Sequence, residues 1–88
     1  MKVIFEKKFL KDIESINDKR LKKTVEEIII GLEKTNNIYS ISNLKKLKSF
    51  RDSFRIKVGN YRIGLNTEEG IIILVRLLHR KEIYRYFP

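Results

Sequence analysis

A histidine, two arginines, a lysine and two tyrosines crowd into His79-Arg80-Lys81-Glu82-Ile83-Tyr84-Arg85-Tyr86 near the end of this chain. They come just after the apolar run Ile71-Ile72-Ile73-Leu74-Val75, where a buried strand should end. Arginine offers phosphate a planar fork of donors, and lysine offers a mobile point charge. A tyrosine ring can stack on a base while its hydroxyl touches a phosphate. His79 is the only histidine, and histidine is the side-chain type that titrates near neutrality. Together such groups can grip a phosphate and move a proton, and a strand end would hold them in fixed directions. Blander roles stand beside these. A strand-end histidine is more often a hydrogen-bonded structural residue, and Tyr84 could simply pack with Tyr86 and Phe87.

A second basic set precedes it. Lys45, Lys46, Lys48, Arg51, Arg55, Lys57 and Arg62 share the stretch from 45 to 62 with a single acid, Asp52. Strict alternation places Phe54, Ile56 and Val58 on one side of a strand and Arg55 and Lys57 on the other. Arg55 and Lys57 can therefore reach one phosphate or two neighbouring ones. Arg62, on the next strand, comes close to that pair. In the same phase the last strand adds Arg76, then Leu78, then Arg80. Like charges side by side on a sheet repel. A face with several cations and almost no acids therefore expects an anion, whereas ordinary solvated faces interleave Glu and Thr.

The whole chain balances 20 Lys+Arg against 11 Asp+Glu, a net charge of +9, which points to a polyanionic partner. Its 88 residues make one domain, 1-88, with a modest core. An apolar share of 42% argues against intrinsic disorder. The absence of cysteine rules out disulfides, thiolate nucleophiles and zinc–thiolate sites, and one histidine makes a transition-metal site improbable. No signal-peptide core and no long apolar run is present, so a cytoplasmic protein with no membrane association is expected.

The elements that must position these residues follow from periodicity. Lys2-Val3-Ile4-Phe5 reads as a short strand. Phe9, Leu10, Ile13 and Ile16, then Leu21, Val25, Ile28, Ile29 and Leu32, recur at helical spacing. Asn17-Asp18 between them supplies a turn and an N-cap, so an αα-hairpin is expected. Residues 39–50 read as a connector holding the basic segment Leu44-Lys45-Lys46-Leu47-Lys48. Gly59-Asn60 predicts a two-residue type II′ turn between two strands. Ile71 to about Leu78 predicts the most apolar strand, at the sheet centre. The order is β-α-α-β-β-β with a short C-terminal helix or tail. The fold class is α+β, with the N-terminal helical hairpin on one face of a small antiparallel sheet. Phe54, Ile56, Val58, Tyr61, Ile63, Leu65, Ile73, Val75 and Leu77 should face the helices; Ile72, Leu74 and Leu78 should share the basic face.

Phe54-Arg55-Ile56-Lys57-Val58-Gly59-Asn60-Tyr61-Arg62-Ile63, then an apolar strand and His79-Arg80-Lys81-Glu82-Ile83-Tyr84, resembles the RelE/ParE superfamily of type II toxins, and within it the RelE branch. The resemblance spans essentially the whole chain and is strongest from Leu44 to Pro88. It implies an mRNA interferase that enters the ribosomal A site and is held inactive by a cognate acidic antitoxin. It also implies the catalytic set Lys57, Arg62, Arg80 and Tyr84, with Arg55 beside them where the best-known pattern has lysine. His79 has no counterpart in that pattern and is a secondary candidate. Lys45, Lys46, Lys48, Arg51, Arg55 and Arg76 would bind RNA.

The mechanism so implied needs no metal and no small-molecule cofactor. The ribose 2′-hydroxyl attacks its own 3′-phosphate, Arg62 and Arg80 stabilise charge on the phosphoryl oxygens, and Tyr84 orients the nucleotide. Lys57 or His79 would take the proton. Two other readings remain open: a ParE-like toxin that poisons DNA gyrase without cutting RNA, and a basic RNA-binding module without catalysis. The expected partners are mRNA, the ribosome and the antitoxin.

Overall fold

The computed structural model describes all 88 residues. In chain order they form β1 (Lys2–Phe5), α1 (Lys7–Glu14), α2 (Lys19–Lys34), a 3-10 turn (Ile38–Ser40), β2 (Leu44–Lys46), β3 (Ser53–Val58), β4 (Tyr61–Glu68), β5 (Ile71–His79) and α3 (Arg80–Tyr86). The α+β architecture expected from the periodicity is present. Asp18 caps α2 as anticipated, its Oδ1 accepting from the Arg20 and Leu21 amides at 2.9 and 3.1 Å. Phe9 of α1 and Val25 and Leu32 of α2 are buried against the sheet, with Leu21, Ile28 and Ile29 packed alongside. The three β-branched residues Ile28-Ile29-Ile30 remain helical because that apolar stripe has helical spacing.

The strands form one sheet in the order β1-β5-β4-β3-β2. β3 and β4 are the expected hairpin, with Val58 opposite Tyr61 and Gly59 at φ +58°, a value glycine adopts without strain. Two features differ from the small antiparallel sheet the sequence predicts. β1 runs parallel to β5, making the sheet mixed; no hairpin joins these two strands, so no turn dictates their orientation. The basic segment within the connector is itself an edge strand, β2, with Lys45 opposite Arg55.

β5 breaks strict alternation. Leu65 pairs with Leu74 and Gly64 with Arg76, so Val75 is an extra residue, a β-bulge. A one-residue insertion exchanges the two faces of everything beyond it. Hence Leu77, Leu74 and Ile72 all lie in the core beneath the helices. This corrects the expectation that Ile73 and Val75 join Leu77 there. Val75 instead packs with Leu78 against Leu47, Ile83 and Phe87 on the opposite face, where α3 folds back over the sheet.

β1 pairs with only the first half of β5, from Ile71 to Leu74. Beyond it α1 closes the open edge. The Leu77 amide donates to Asp12 Oδ2 at 2.9 Å, and the Arg76 guanidinium donates to both oxygens of the same carboxylate, at 2.8 and 3.1 Å. These two side chains are largely buried, 16% and 12% exposed. The bonds to Asp12 hold the Arg76 guanidinium above its ordinary pKa, against the opposing cost of burial.

Candidate functional site

The sheet register sets the basic face in two rows. Lys45, Arg55, Gly64 and Arg76 lie side by side across β2, β3, β4 and β5; Lys57, Arg62 and Leu78 form the next row. Gly64 is the gap in the first row, and α3 uses it. A Cβ at Gly64 would stand 2.6 Å from Cγ of Phe87, so the ring lies directly on the backbone there. Ile83 and Phe87, 0% and 4% exposed, anchor α3. The same helix then carries Tyr84 across Arg55, whose guanidinium carbon lies 4.4 Å from the ring centroid. With Tyr84 69% exposed, such a cation–π contact is worth about 0.5–1 kcal/mol.

Lys45, Arg55, Lys57, Arg62 and Tyr84 thereby line one cleft of about 300 Å³, together with Asn43 and Leu44. A second groove of about 390 Å³ continues along β2 past Lys46, Lys48 and Phe50, sharing Lys45, Arg55 and Tyr84 with the first. Arg62 is held by the hairpin turn: its Nη1 donates to the carbonyl oxygens of Gly59 and Tyr61, each at 2.9 Å. Its Nε and Nη2 make no hydrogen bond within the chain. The Arg80 amide donates to the Asn60 carbonyl at 2.7 Å. Both arginines are thus indexed to one turn, although Arg80, at the start of α3, has an exposed side chain that does not line the cleft.

Charge balance on this face is one-sided. The only ion pair in the chain is Arg76–Asp12. Lys45 opposes Arg55 and Lys57 opposes Arg62, two like-charged cross-strand pairs. Each costs stability on the order of 0.2–1 kcal/mol where no anion is present. The cleft can therefore take an extended polyanion whose phosphates lie against the cations and whose bases lie against Tyr84.

Other expected site residues fall elsewhere. His79 opposes Tyr61 on the helix-facing side, and its ring meets the Tyr61 ring edge-on at 5.6 Å. Its Nδ1 accepts the Lys81 amide at 3.2 Å, which makes it the N-cap of α3. Arg76 is committed to Asp12, with Tyr86 also 5.4 Å from its guanidinium. Arg51 is exposed in the β2–β3 turn and lines neither groove.

Residues 3–84 match the family described as ParE toxin of type II toxin-antitoxin system, parDE. Toxin RelE3 of Methanocaldococcus jannaschii is 40% identical over 89 residues, covering all of both chains. The chain is a RelE-type toxin of the RelE/ParE superfamily. The crystal structure of the RelB-RelE antitoxin-toxin complex from Methanococcus jannaschii contains a chain that matches this toxin with a TM-score of 0.83 at 38% identity, covering 97% of the toxin and 99% of that chain. A chain of the archaeal RelE-RelB complex from Pyrococcus horikoshii OT3 shares the fold, with a TM-score of 0.72 at 23% identity over 90% of the toxin and 93% of that chain.

Three residues of the toxin's site escape the sequence pattern. Asn43, at φ +64°, ends the approach to β2, and its carbonyl accepts the Lys57 amide at 3.1 Å. Phe50 reads as connector until β2 is seen. Gly64 reads as an ordinary strand glycine, although an isolated glycine in a strand does signal close backbone approach.

Proposed function

We propose that this toxin cuts mRNA in the ribosomal A site by metal-independent transesterification. mRNA cleavage is the RelE family's activity. The observation that carries the proposal is the cleft in which the turn-clamped Arg62 faces Lys57 across the strands, with Arg55 and Tyr84 stacked beside them. The 2′-oxygen forms a bond to its own 3′-phosphorus, and the bond from phosphorus to the leaving 5′-oxygen breaks. The products are a 2′,3′-cyclic phosphate and a 5′-hydroxyl. Arg62 presents its free guanidinium edge to the phosphoryl oxygens, where pre-aimed charge stabilises the transition state. Arg80, its amide indexed to the same turn, adds positive charge from the start of α3. Tyr84 stacks on the nucleotide and Arg55 holds a flanking phosphate. Lys57 steadies the 2′-oxygen as its proton passes to solvent; the leaving oxygen takes one from solvent. His79 stands outside the cleft with Nδ1 engaged, and the proposal gives it a capping role. Arg76 braces α1 against β5 instead of binding RNA.

The relatives crystallised as RelB–RelE complexes support a cognate antitoxin as the partner. An acidic segment folding across the basic face would neutralise it and displace α3. A toxin that acts on translating ribosomes would work in the cytoplasm. No helix is long and apolar enough to cross a membrane. Purified toxin added to programmed ribosomes, followed by primer extension, should show a break inside the A-site codon that Arg62→Ala strongly weakens. Intact message at saturating dose would refute the proposal. The match to a family named for ParE favours one second reading, gyrase poisoning, which a DNA gyrase cleavage-complex assay separates.

A further inference from the structure

We infer that Phe50 and the groove along β2 form a second nucleotide subsite, which takes an unpaired base of single-stranded RNA on the side of Tyr84 away from Arg62. The inference rests on the RNA-cleaving reading and extends it beyond the reacting phosphate. Phe50 is 48% exposed, although Leu47 and Phe87 beside it are buried. The turn that carries it is fixed. Ser49 before it adopts φ +68°, and the Phe50 carbonyl accepts from Lys46 Nζ at 3.2 Å and from the Ser53 amide at 3.4 Å. The Leu47 amide closes the same turn on the Ser53 carbonyl at 2.9 Å. A pinned turn that leaves a phenyl ring in water presents that ring as a surface.

The chemistry of the groove selects nucleic acid. Its apolar lining is Leu47, Phe50, Phe87 and Pro88; its cations are Lys45, Lys46, Lys48 and Arg55, with no Asp or Glu among the lining residues. Aromatic faces between lysines are how proteins hold single strands without reading sequence, the bases stacking and the cations following the backbone. At about 390 Å³ the groove falls within the ~300–1,000 Å³ range of small-ligand sites. It shares Lys45, Arg55 and Tyr84 with the cleft, so a strand that passes Tyr84 meets it next.

The chain has no tryptophan, so Phe50→Trp introduces a single reporter. The probes are uncleavable 2′-O-methyl oligouridylates, a trimer and a hexamer. The hexamer should quench the fluorescence of Phe50→Trp, while Ile30→Trp, exposed on α2, should show no quenching. By anisotropy, Phe50→Ala should weaken hexamer binding by roughly five- to 150-fold, the range for losing one stacked base, and leave trimer binding unchanged. Arg62→Ala should weaken both, and circular dichroism should show each variant folded. If both oligomers bind and Phe50→Ala matches wild type, the subsite is overturned and the cleavage reading stands. If neither oligomer binds wild type while ribosomal message is still cut, the subsite alone falls; if message also survives, both fall. If Phe50→Ala loses affinity only for an acidic antitoxin, the surface is a protein interface and the inference is overturned.

Discussion

Replacing Gly64 by alanine puts a methyl group where the Phe87 ring now lies. The new carbon would meet Cγ, Cδ2 and Cδ1 of that ring at 2.6, 2.7 and 2.9 Å, so the ring must move as a whole. Overpacking of this kind costs about 1–3 kcal/mol, and expelling a buried phenyl group costs about 1.5–3 kcal/mol. The chain will take the cheaper route, so Gly64→Ala should destabilise by about 2 kcal/mol. In a Phe87→Ala background those three clashing ring atoms are gone. There it should be neutral or stabilising by up to about 1 kcal/mol, the usual preference for alanine over glycine in regular structure. Urea unfolding of wild type, both single variants and the double variant gives the coupling energy, expected near 2–3 kcal/mol. Additive effects would refute the stacking of Phe87 on Gly64 as the anchor of α3. Because α3 carries Tyr84, Gly64→Ala should also lower mRNA cleavage, and adding Phe87→Ala should not restore it.

Arg62→Ala should reduce cleavage about 10²–10³-fold, as losing one pre-aimed donor does elsewhere, and Arg62→Lys should not restore it, because an ammonium that bridges two carbonyls keeps one N–H and no planar two-donor edge for phosphate; single-turnover rates on ribosomes check this. Asp12→Ala should destabilise by about 1–3 kcal/mol in thermal melts, because it strands the Arg76 guanidinium and the Leu77 amide together. His79→Ala should cost about 1 kcal/mol of stability as a lost helix cap and leave cleavage within about ten-fold of wild type. A rate loss of many orders of magnitude, with an altered pH profile, would instead make His79 the proton acceptor.

Much of this molecule is written locally. The helices follow from the spacing of Phe9 and Ile13 and of Val25, Ile28 and Leu32, with Asp18 marking a start; Ile16, in the same phase, lies just past the end of α1. The β3–β4 hairpin follows from alternation around Gly59-Asn60, and with it the approach of Arg55, Lys57 and Arg62. What escaped depends on contacts distant in sequence. Ile71-Ile72-Ile73-Leu74-Val75 is apolar at every position, so no pattern marks Val75 as the inserted residue; only the pairing with β4 does. Three residues with two lysines become β2 only because β3 offers an edge. Arg76 belongs to the basic row by register, yet Asp12, far away in sequence, claims it.

The scarcity of internal ion pairs gives the toxin two salt dependences of opposite sign. With a net charge of +9 and one ion pair, the folded chain works against its own repulsion. Dissolved ions screen that repulsion over a Debye length of about 8–10 Å near physiological strength, so added salt should raise the melting temperature. The same ions compete for the phosphates, so added salt should weaken RNA binding, by a logarithmic slope of about −0.7 for each single-strand phosphate neutralised. Conditions that keep the free toxin most stable are thus those in which it holds its target least.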